Sequence, residues 1–380
     1  MNFELTEEHK MIRDAARDFA QNELLPGVIE RDETQSFPHE QVKKMGELGF
    51  LGMMVSPEYN GAGLDTISYV LAMEEISKID ASAAVIMSAN NSLVCWGLEK
   101  YGTEAQKKKY LTKLTTGEVL GAFCLSEPDA GSDATSQKTT AIDKGDYYEL
   151  NGVKNWITNG GTANVYLVIA QSDVEKKHKG INVFIVEKDT PGFEIGKKEN
   201  KLGIRGSDTH SLLFTDVKIP KENRIGPEGF GFQFAMETLA GGRIGIAAQA
   251  LGIASGAYEL ALEYSQQRKS FGKEISKHQA IAFKLADMAT EIEAARFLCF
   301  KSAWDKDKGL NYDLSSSMAK LFTAEMAMKN TTEAVQIHGG YGFVKEYHVE
   351  RMMRDAKITQ IYEGTSEIQK IVISRALLKK

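Results

Sequence analysis

YYELNGVKNWIT, residues 147–158, reads as extended chain on both sides of an Asn-Gly pair. Asn151-Gly152 between two β-rich runs predicts a tight hairpin turn at that point. Outward from it, VYLVIA at 165–170, INVFIVE at 181–187 and HSLLFTDVKI at 210–219 are further short β-rich runs. No helical pattern separates them, so residues 120–226 are expected to form an antiparallel barrel or sandwich.

Both flanks read differently. Before this region, Met11, Ala15 and Phe19 recur at four-residue steps, and Val70, Met73, Ile76 and Ile79 at three-residue steps. Pro38, Pro57 and the Gly-Ala-Gly at 61–63 mark breaks between helices. Beyond it, no proline follows Pro227, although the chain has seven. Ala247, Leu251, Ala254, Tyr258 and Ala261 step by four and three, as do Ile281, Leu285, Met288, Ile292 and Ala295. Leu314, Met318, Leu321, Met328 and Val335 extend the theme. Long helices with one apolar seam and short connections imply an antiparallel bundle. The expected fold class is α+β, mostly α. It has a helical domain at 1–119, a β domain at 120–226 and a helical bundle at 227–380.

The 380 residues are 42% hydrophobic and 26% charged, with a net charge of −6. That is enough apolar content for a large core and excludes general disorder. Mild acidity argues against nucleic acid as a partner. Cys95, Cys124 and Cys299 are too few and too far apart for a disulfide framework or a CxxC metal site. Residues 81–98 carry no charge, but Ser82, Ser88, Asn90, Asn91 and Ser92 lie among them. A buried helix is expected there rather than membrane insertion. Acidic residues appear at once at the N-terminus, with neither an apolar h-region nor an Arg- and Ser-rich leader. A cytoplasmic location, or the mature form of an organellar protein, is expected.

GxGxxG, GxxxxGK[ST], HExxH and GxSxG are all absent. The histidines show no metal-ligand spacing, so no metal is expected, and His338 before two glycines reads as a helix-end residue. Ser317-Met-Ala-Lys320 matches SxxK but is too short a pattern to carry weight on an amphipathic helix. Several stretches are too polar and glycine-rich for their places: CLSEPDAGSD at 124–133, WITNGG at 156–161, QRKSFGKEI at 267–275, QIHGGYGF at 336–343 and IYEGTSEIQ at 361–369. Each has a structural reading. AGSD fits a turn, GGYG a helix-to-helix loop, and SEIQ a capping box with Ser366 as N-cap and Gln369 at N3.

Together and in this order they resemble the acyl-CoA dehydrogenase family over essentially the whole chain. The resemblance implies an α-domain, an antiparallel β-barrel domain and a C-terminal four-helix bundle. It further implies bound FAD, an acyl-CoA substrate, an electron-transferring flavoprotein partner and a homotetramer built as a dimer of dimers. It places Leu125, Ser126, Trp156, Ile157 and Thr158 on the flavin. Arg268, Phe271 and Gln279 fall on the FAD adenylate and pyrophosphate, and Gln336, Gly339 and Gly340 on a neighbouring subunit's FAD. Thr365 and Glu367 would lie along the cofactor. Ser132, Arg243 and Gly364 would meet the thioester.

The same resemblance makes Glu363 the catalytic base, and the chemistry explains the choice. Desaturating a thioester removes a weakly acidic α-proton, so a carboxylate must sit within hydrogen-bond reach of it. Charge then develops on the thioester oxygen and needs fixed N–H donors, of which the Glu363 N–H is a candidate. A free Glu has a pKa of about 4.3, and excluding water would raise it toward a useful value. Some family members carry the base immediately before the arginine that matches Arg243. Here that residue is Gly242, and Ala240 stands where many relatives have Asp. VIMSANNSL at 85–93 resembles the stretch that closes the acyl pocket in short-chain members. The expected reaction is FAD-dependent α,β-dehydrogenation of a short-chain acyl-CoA. Alternatives are a same-fold oxidase, an enoyl-CoA reductase of an electron-bifurcating complex, and a non-enzymatic scaffold.

Overall fold

A computed structural model of the chain describes residues 4–378. Residues 1–3 and 379–380, at the outer ends of the expected first and third domains, lie outside the described residues. The strands are β1 Gly121–Cys124, β2 Thr140–Asp143, β3 Tyr147–Thr158, β4 Val165–Gln171, β5 Ile181–Glu187, β6 Phe193–Lys198, β7 Thr209–Pro220 and β8 Arg224–Ile225. They form one sheet in the order β6-β7-β3-β2-β4-β5-β8, with β1 beside β4. The sheet is mixed rather than purely antiparallel. β1 arrives from the first helical region and runs parallel to β4, and β2 meets β4 in parallel at Thr140 and Gln171.

The hairpin expected at Asn151-Gly152 is not there. Both residues lie inside β3, which continues through them with a register shift against β7. The tight turn falls one step earlier, between β2 and β3, where Gly145 has φ 90° and donates to Asp143 Oδ1 at 2.8 Å. Glycine is needed at 152 for a different reason. A Cβ there would sit 2.5 Å from Thr139 Oγ1 and 2.7 Å from Thr139 Cα. Asn151 is held by Asp216, which donates its backbone N–H at 2.8 Å and accepts the amide at 3.1 Å.

β4 and β5 are buried on both faces. Tyr166, Val168, Phe184 and Val186 fill the β-domain core with Tyr148 and Phe214. Leu167, Ile169, Val183 and Ile185 face the helices and pack with Leu98, Leu114 and Phe234. Alternation along these two strands therefore glues the sheet to the helical layers.

The spine of the molecule is the Gly231–Gln267 helix. It packs against the Asp313–His338, Thr66–Ser77 and Gln279–Asp307 helices. Its seam through Ala247, Leu251, Ala254 and Ala261 is fully buried. The seam expected in Asp313–His338 lies on the wrong face. Leu314, Met318, Leu321, Met328 and Val335 are only half-buried, while Ser317, Lys320, Thr323, Ala327, Asn330 and Thr331 are buried. The spine presents glycine and alanine, so its neighbour approaches closely with small and polar residues. The N-terminal stripe is likewise displaced by one residue. Met11 and Ala15 are exposed, and Ala16, Phe19 and Ala20 are buried.

The uncharged segment 81–98 is a buried helix interrupted by a π-helical turn at Ala89–Cys95. Its amides are satisfied. Asn90 donates to Leu51 O at 2.8 Å and accepts from Gly121 N at 3.0 Å. Asn91 donates to Phe50 O at 2.7 Å and accepts from Met53 N at 2.9 Å. Among the described residues one helix, Gly231–Gln267, is long and apolar enough to cross a membrane, and 83% of its most apolar window is buried inside the fold.

All three regions meet at Arg354. It pairs with Asp32 at 2.7 Å and Glu350 at 2.7 Å, and donates to Leu202 O at 3.0 Å. Beside it the buried Asp355 accepts from Ile204 N at 2.5 Å and pairs with Arg351 at 3.1 Å. Arg354→Met strands the buried Asp32 carboxylate. It should lower unfolding stability by about 3 kcal/mol, the lower end for breaking a buried pair, which a denaturant unfolding curve would read.

Candidate active site

Glu363 sits in the turn before the last helix, with φ 51°, and Gly364 follows at φ 91°. Two successive left-handed residues, one with a side chain, need outside support. Tyr362 supplies one anchor, donating its hydroxyl to Gln249 Oε1, while Gln249 donates to Ala81 O at 2.8 Å. Gln369 supplies another, donating to the carbonyls of Glu363 at 3.3 Å and Gly364 at 2.9 Å. The third is Lys320, whose Nζ donates to Gly364 O at 2.6 Å. The helix Ser366–Leu378 is capped by Thr365 rather than Ser366, since Thr365 Oγ1 accepts from Ile368 N at 3.3 Å. Ser366 is instead drawn to Glu325, to which it donates at 2.5 Å.

The Glu363 carboxylate points at the spine helix. A Cβ on Gly242 would lie 2.0 Å from Glu363 Oε2 and 2.8 Å from Leu93 Cδ2. The acid therefore occupies the volume of a missing side chain. Oε2 is buried and has no hydrogen-bond partner. Burial pushes the carboxyl up to about 7, against the pull of Lys320 and Arg243. Arg243 is buried, donates to Ser317 Oγ at 3.3 Å and leaves its Nε unpartnered. Tyr69 and Ser88 close the floor. Both come within 2.6 Å of a Cβ built on Gly245, and Tyr69 donates to Ser88 Oγ at 3.0 Å. Lys320, Ser317, Tyr69, Ser88 and Leu93 were not singled out as site residues in the sequence. The SxxK match touched Ser317 and Lys320, and the 85–93 stretch that resembles the pocket-closing segment holds Ser88 and Leu93.

The 124–133 loop and the end of β3 are adjacent. Lys154 is fully buried, donates to Leu125 O at 3.0 Å and pairs with Glu127 at 2.6 Å. Burial would push the Glu127 carboxyl up, but Lys154 and the N–H groups of Lys138 and Thr139 outweigh it and hold it low. Asn155 N donates to Ser126 O at 2.9 Å. A register shift between Lys154 and Ile157 throws Trp156 out of the sheet at φ 62°, where it is 60% exposed. The Ile157 side chain points into the β core, so only its backbone is free to meet a ligand. Thr158 is half-buried, and Ser132 lies on the exposed part of the loop. Thr365 and Glu367 border the Glu363 turn, with Glu367 exposed.

A second group gathers at the far end of the spine. Arg268, Gly339 and Gly340 line one cavity of about 510 Å3 with Tyr264, His338 and Tyr341. Arg268 stands 5.6 Å over the Tyr341 ring, and His338 stacks on Tyr264 at 4.3 Å. Nothing lies within 4 Å of a Cβ built on either Gly339 or Gly340. Phe271 is 95% exposed, and Gln279 and Gln336 are exposed nearby in sequence. The helical rise puts Arg268 about 37 Å from Arg243 along the spine. That span separates the Arg268 cavity from the Glu363 turn. Among the described residues no group of three or more His, Cys, Asp or Glu could hold a metal ion.

A left-handed carboxylate turn against a glycine-notched spine, with a β domain between two helical regions, defines a class that the comparisons identify. The acyl-CoA dehydrogenase N-terminal, middle and C-terminal domain families match residues 6–118, 122–217 and 229–378. The chain belongs to the acyl-CoA dehydrogenase family. It is 52% identical to the short-chain specific acyl-CoA dehydrogenase of Clostridium acetobutylicum over 379 residues, covering 100% of both chains. The structure of butyryl-CoA dehydrogenase from Megasphaera elsdenii matches with TM-score 0.98 at 50% identity, covering 100% of both chains. A chain from work on the electron-transferring flavoprotein of Acidaminococcus fermentans and flavin-based electron bifurcation matches with TM-score 0.99 at 52% identity, again covering 100% of both.

Because the Glu363 carboxyl is raised to about 7, its linkage to stability has a definite sign. The neutral form is favoured in the folded state, so this contribution is present below pH 4.5 and lost as pH rises through 7. Glu363→Gln mimics the neutral form. Its thermal midpoint should exceed that of the wild type at pH 8, and the gap should close as pH falls toward 5. A gap independent of pH would show that the carboxyl is not raised.

Proposed function

We propose that the protein removes the α-proton and β-hydrogen of a short-chain acyl-CoA thioester with FAD as acceptor. Electrons then pass to an electron-transferring flavoprotein. One observation carries this reading: a carboxylate raised to about 7, with one oxygen buried and lacking any partner. An acid so placed is ready to take a proton near neutral pH.

The residues present fit the cofactor. Leu125, Ser126, Trp156, Thr158 and the Ile157 backbone would hold the flavin, bordered by Thr365 and Glu367. Arg268, Phe271, Gln279, Gln336, Gly339 and Gly340 would hold the phosphates and adenylate. The open space over Gly339 and Gly340 beside an arginine suits close approach of a diphosphate. FAD, when bound, accepts the β-hydrogen as hydride. Glu363 Oε2 would take the α-proton, and its own N–H would donate to the thioester oxygen. Arg243, Ser132 and Gly364 line the route of the thioester. The distance of about 37 Å from Arg243 to Arg268 along the spine supports a distal cradle that serves the cofactor of a second copy. A homotetramer of paired dimers is the assembly we propose. The exposed Phe283, Phe297, Trp304 and Phe322 on the bundle give such contacts an apolar surface. We take the domain boundaries at 119/120 and 226/227. Three free, buried cysteines suit a reducing cytoplasmic setting. The likeness to the Acidaminococcus chain favours one second reading, an enoyl-CoA reductase working in a bifurcating complex.

The purified protein should be yellow, with one FAD per chain, and butyryl-CoA should bleach it anaerobically. Glu363→Gln should still bind the thioester but slow bleaching by the roughly 10²–10⁴ expected for a lost general base. Bleaching at the normal rate would place the base elsewhere.

Chain length follows from the floor. Leu93, Tyr69 and Ser88 stand close beneath the spine glycines. Each methylene up to C4 or C5 should add up to about 0.8 kcal/mol of binding, and further carbons must overpack the wall at about 1–3 kcal/mol. Across a C4-to-C16 series kcat/KM should peak at butyryl- or pentanoyl-CoA and fall several-fold by octanoyl-CoA. A maximum at C8 or beyond would refute the short-chain assignment.

A further inference from the structure

Ser317 and Lys320 lie on the buried face of Asp313–His338, a helix that packs against the spine. Lys320 is completely buried, and its Nζ meets the carbonyl of Gly364 at 2.6 Å. Among the described residues no carboxylate lies within ion-pair distance of it. A buried ammonium without an acid partner is destabilising unless something offsets it. A hydrogen bond to Gly364 O does not require a charge, because Gln369 already donates to the same oxygen at 2.9 Å. What Lys320 alone adds there is a positive charge beside Glu363.

We infer that Lys320 is a positioning residue for the base: it pins the Glu363–Gly364 turn through the Gly364 carbonyl, and its charge sets the pH at which Glu363 becomes able to accept a proton. This rests on Glu363 being the base. The groups facing Glu363 are few. Arg243 comes from the spine helix, Lys320 from Asp313–His338, Tyr69 from Thr66–Ser77 and Tyr362 from the turn itself. Glu325 and Glu367 act on Lys320, and Asp313 acts on Arg243. Both tyrosines are pushed up by burial and stay neutral. Arg243 stays charged. Lys320 is drawn down to about 8 by burial, so it is the one cation of the site whose charge is variable near neutrality.

The test is the pH dependence of anaerobic bleaching of the holoenzyme by butyryl-CoA, from pH 5.5 to 9. Wild type, Lys320→Met, Lys320→Gln and Lys320→Arg are compared, each with its flavin content checked by visible spectrum. The rate rises with pH as Glu363 ionises. Removing the charge should move that rising limb upward by at least one pH unit in both Met and Gln variants. At pH 6 they should be at least tenfold slower than wild type, and by pH 9 most of the deficit should be recovered. Lys320→Arg should keep the wild-type limb. If Gln restores the limb as well as Arg does, or if Met slows bleaching equally at every pH, the role is a plain hydrogen bond and the inference is overturned. A wild-type limb that Glu363→Gln removes confirms the base independently, so an unmoved limb in the Lys320 variants counts against this inference alone.

Discussion

The structure turns on one contact: the Glu363 carboxylate lodged in the notch that Gly242 leaves in the spine helix. An acid in that notch is stripped of water on one oxygen, and its raised pKa follows from this. Its placement also fixes the backbone. To aim a side chain from the 363 turn at the spine, the chain must take two left-handed steps in succession. Three separate donors, from Tyr362, Gln369 and Lys320, then hold the turn against its own strain. The burial of Asn90, Asn91 and the Tyr69–Ser88 pair belongs to the same scheme. Asn90, Asn91 and the Tyr69–Ser88 pair can be buried because each has found a partner.

The spine sets distances as well as contacts. Its near end carries Gly242 and Arg243, and its far end delivers Arg268 to a glycine-edged cavity beside His338. Because the helix is rigid, these two ends stay about 37 Å apart. The half-buried row Leu314, Met318, Leu321, Met328 and Val335 fits the same picture. The close approach of small residues to the spine leaves the larger apolar side chains half-buried to its sides.

Much of this was legible in the sequence. Strand patterns at 165–170, 181–187 and 210–219 coincide with β4, β5 and β7. The polar, glycine-rich motifs marked the Glu363 turn, the Trp156 bulge and the Arg268 cavity. What failed did so for identifiable reasons. Asn151-Gly152 has the composition of a turn, but its glycine answers to Thr139, a contact visible only in three dimensions. Apolar periodicity misjudged Asp313–His338 because it weights large residues, whereas the partner helix selects small ones. Ser366 lost the cap to Thr365 because Glu325 competes for its hydroxyl. Lys320 carried no weight because SxxK on an amphipathic helix is too short a pattern, and only the fold brings Gly364 to it.

The Gly242 notch bears on how such a site can change over time. Positions 242 and 363 share one volume, so a side chain at the first expels the carboxylate from the second. A lineage relocating its base from the turn to the helix must move the Glu363 carboxylate out of the notch before a second acid can enter it. A glycine, the residue with least to contribute chemically, thereby becomes the one that commits a whole branch of descendants to its choice of base.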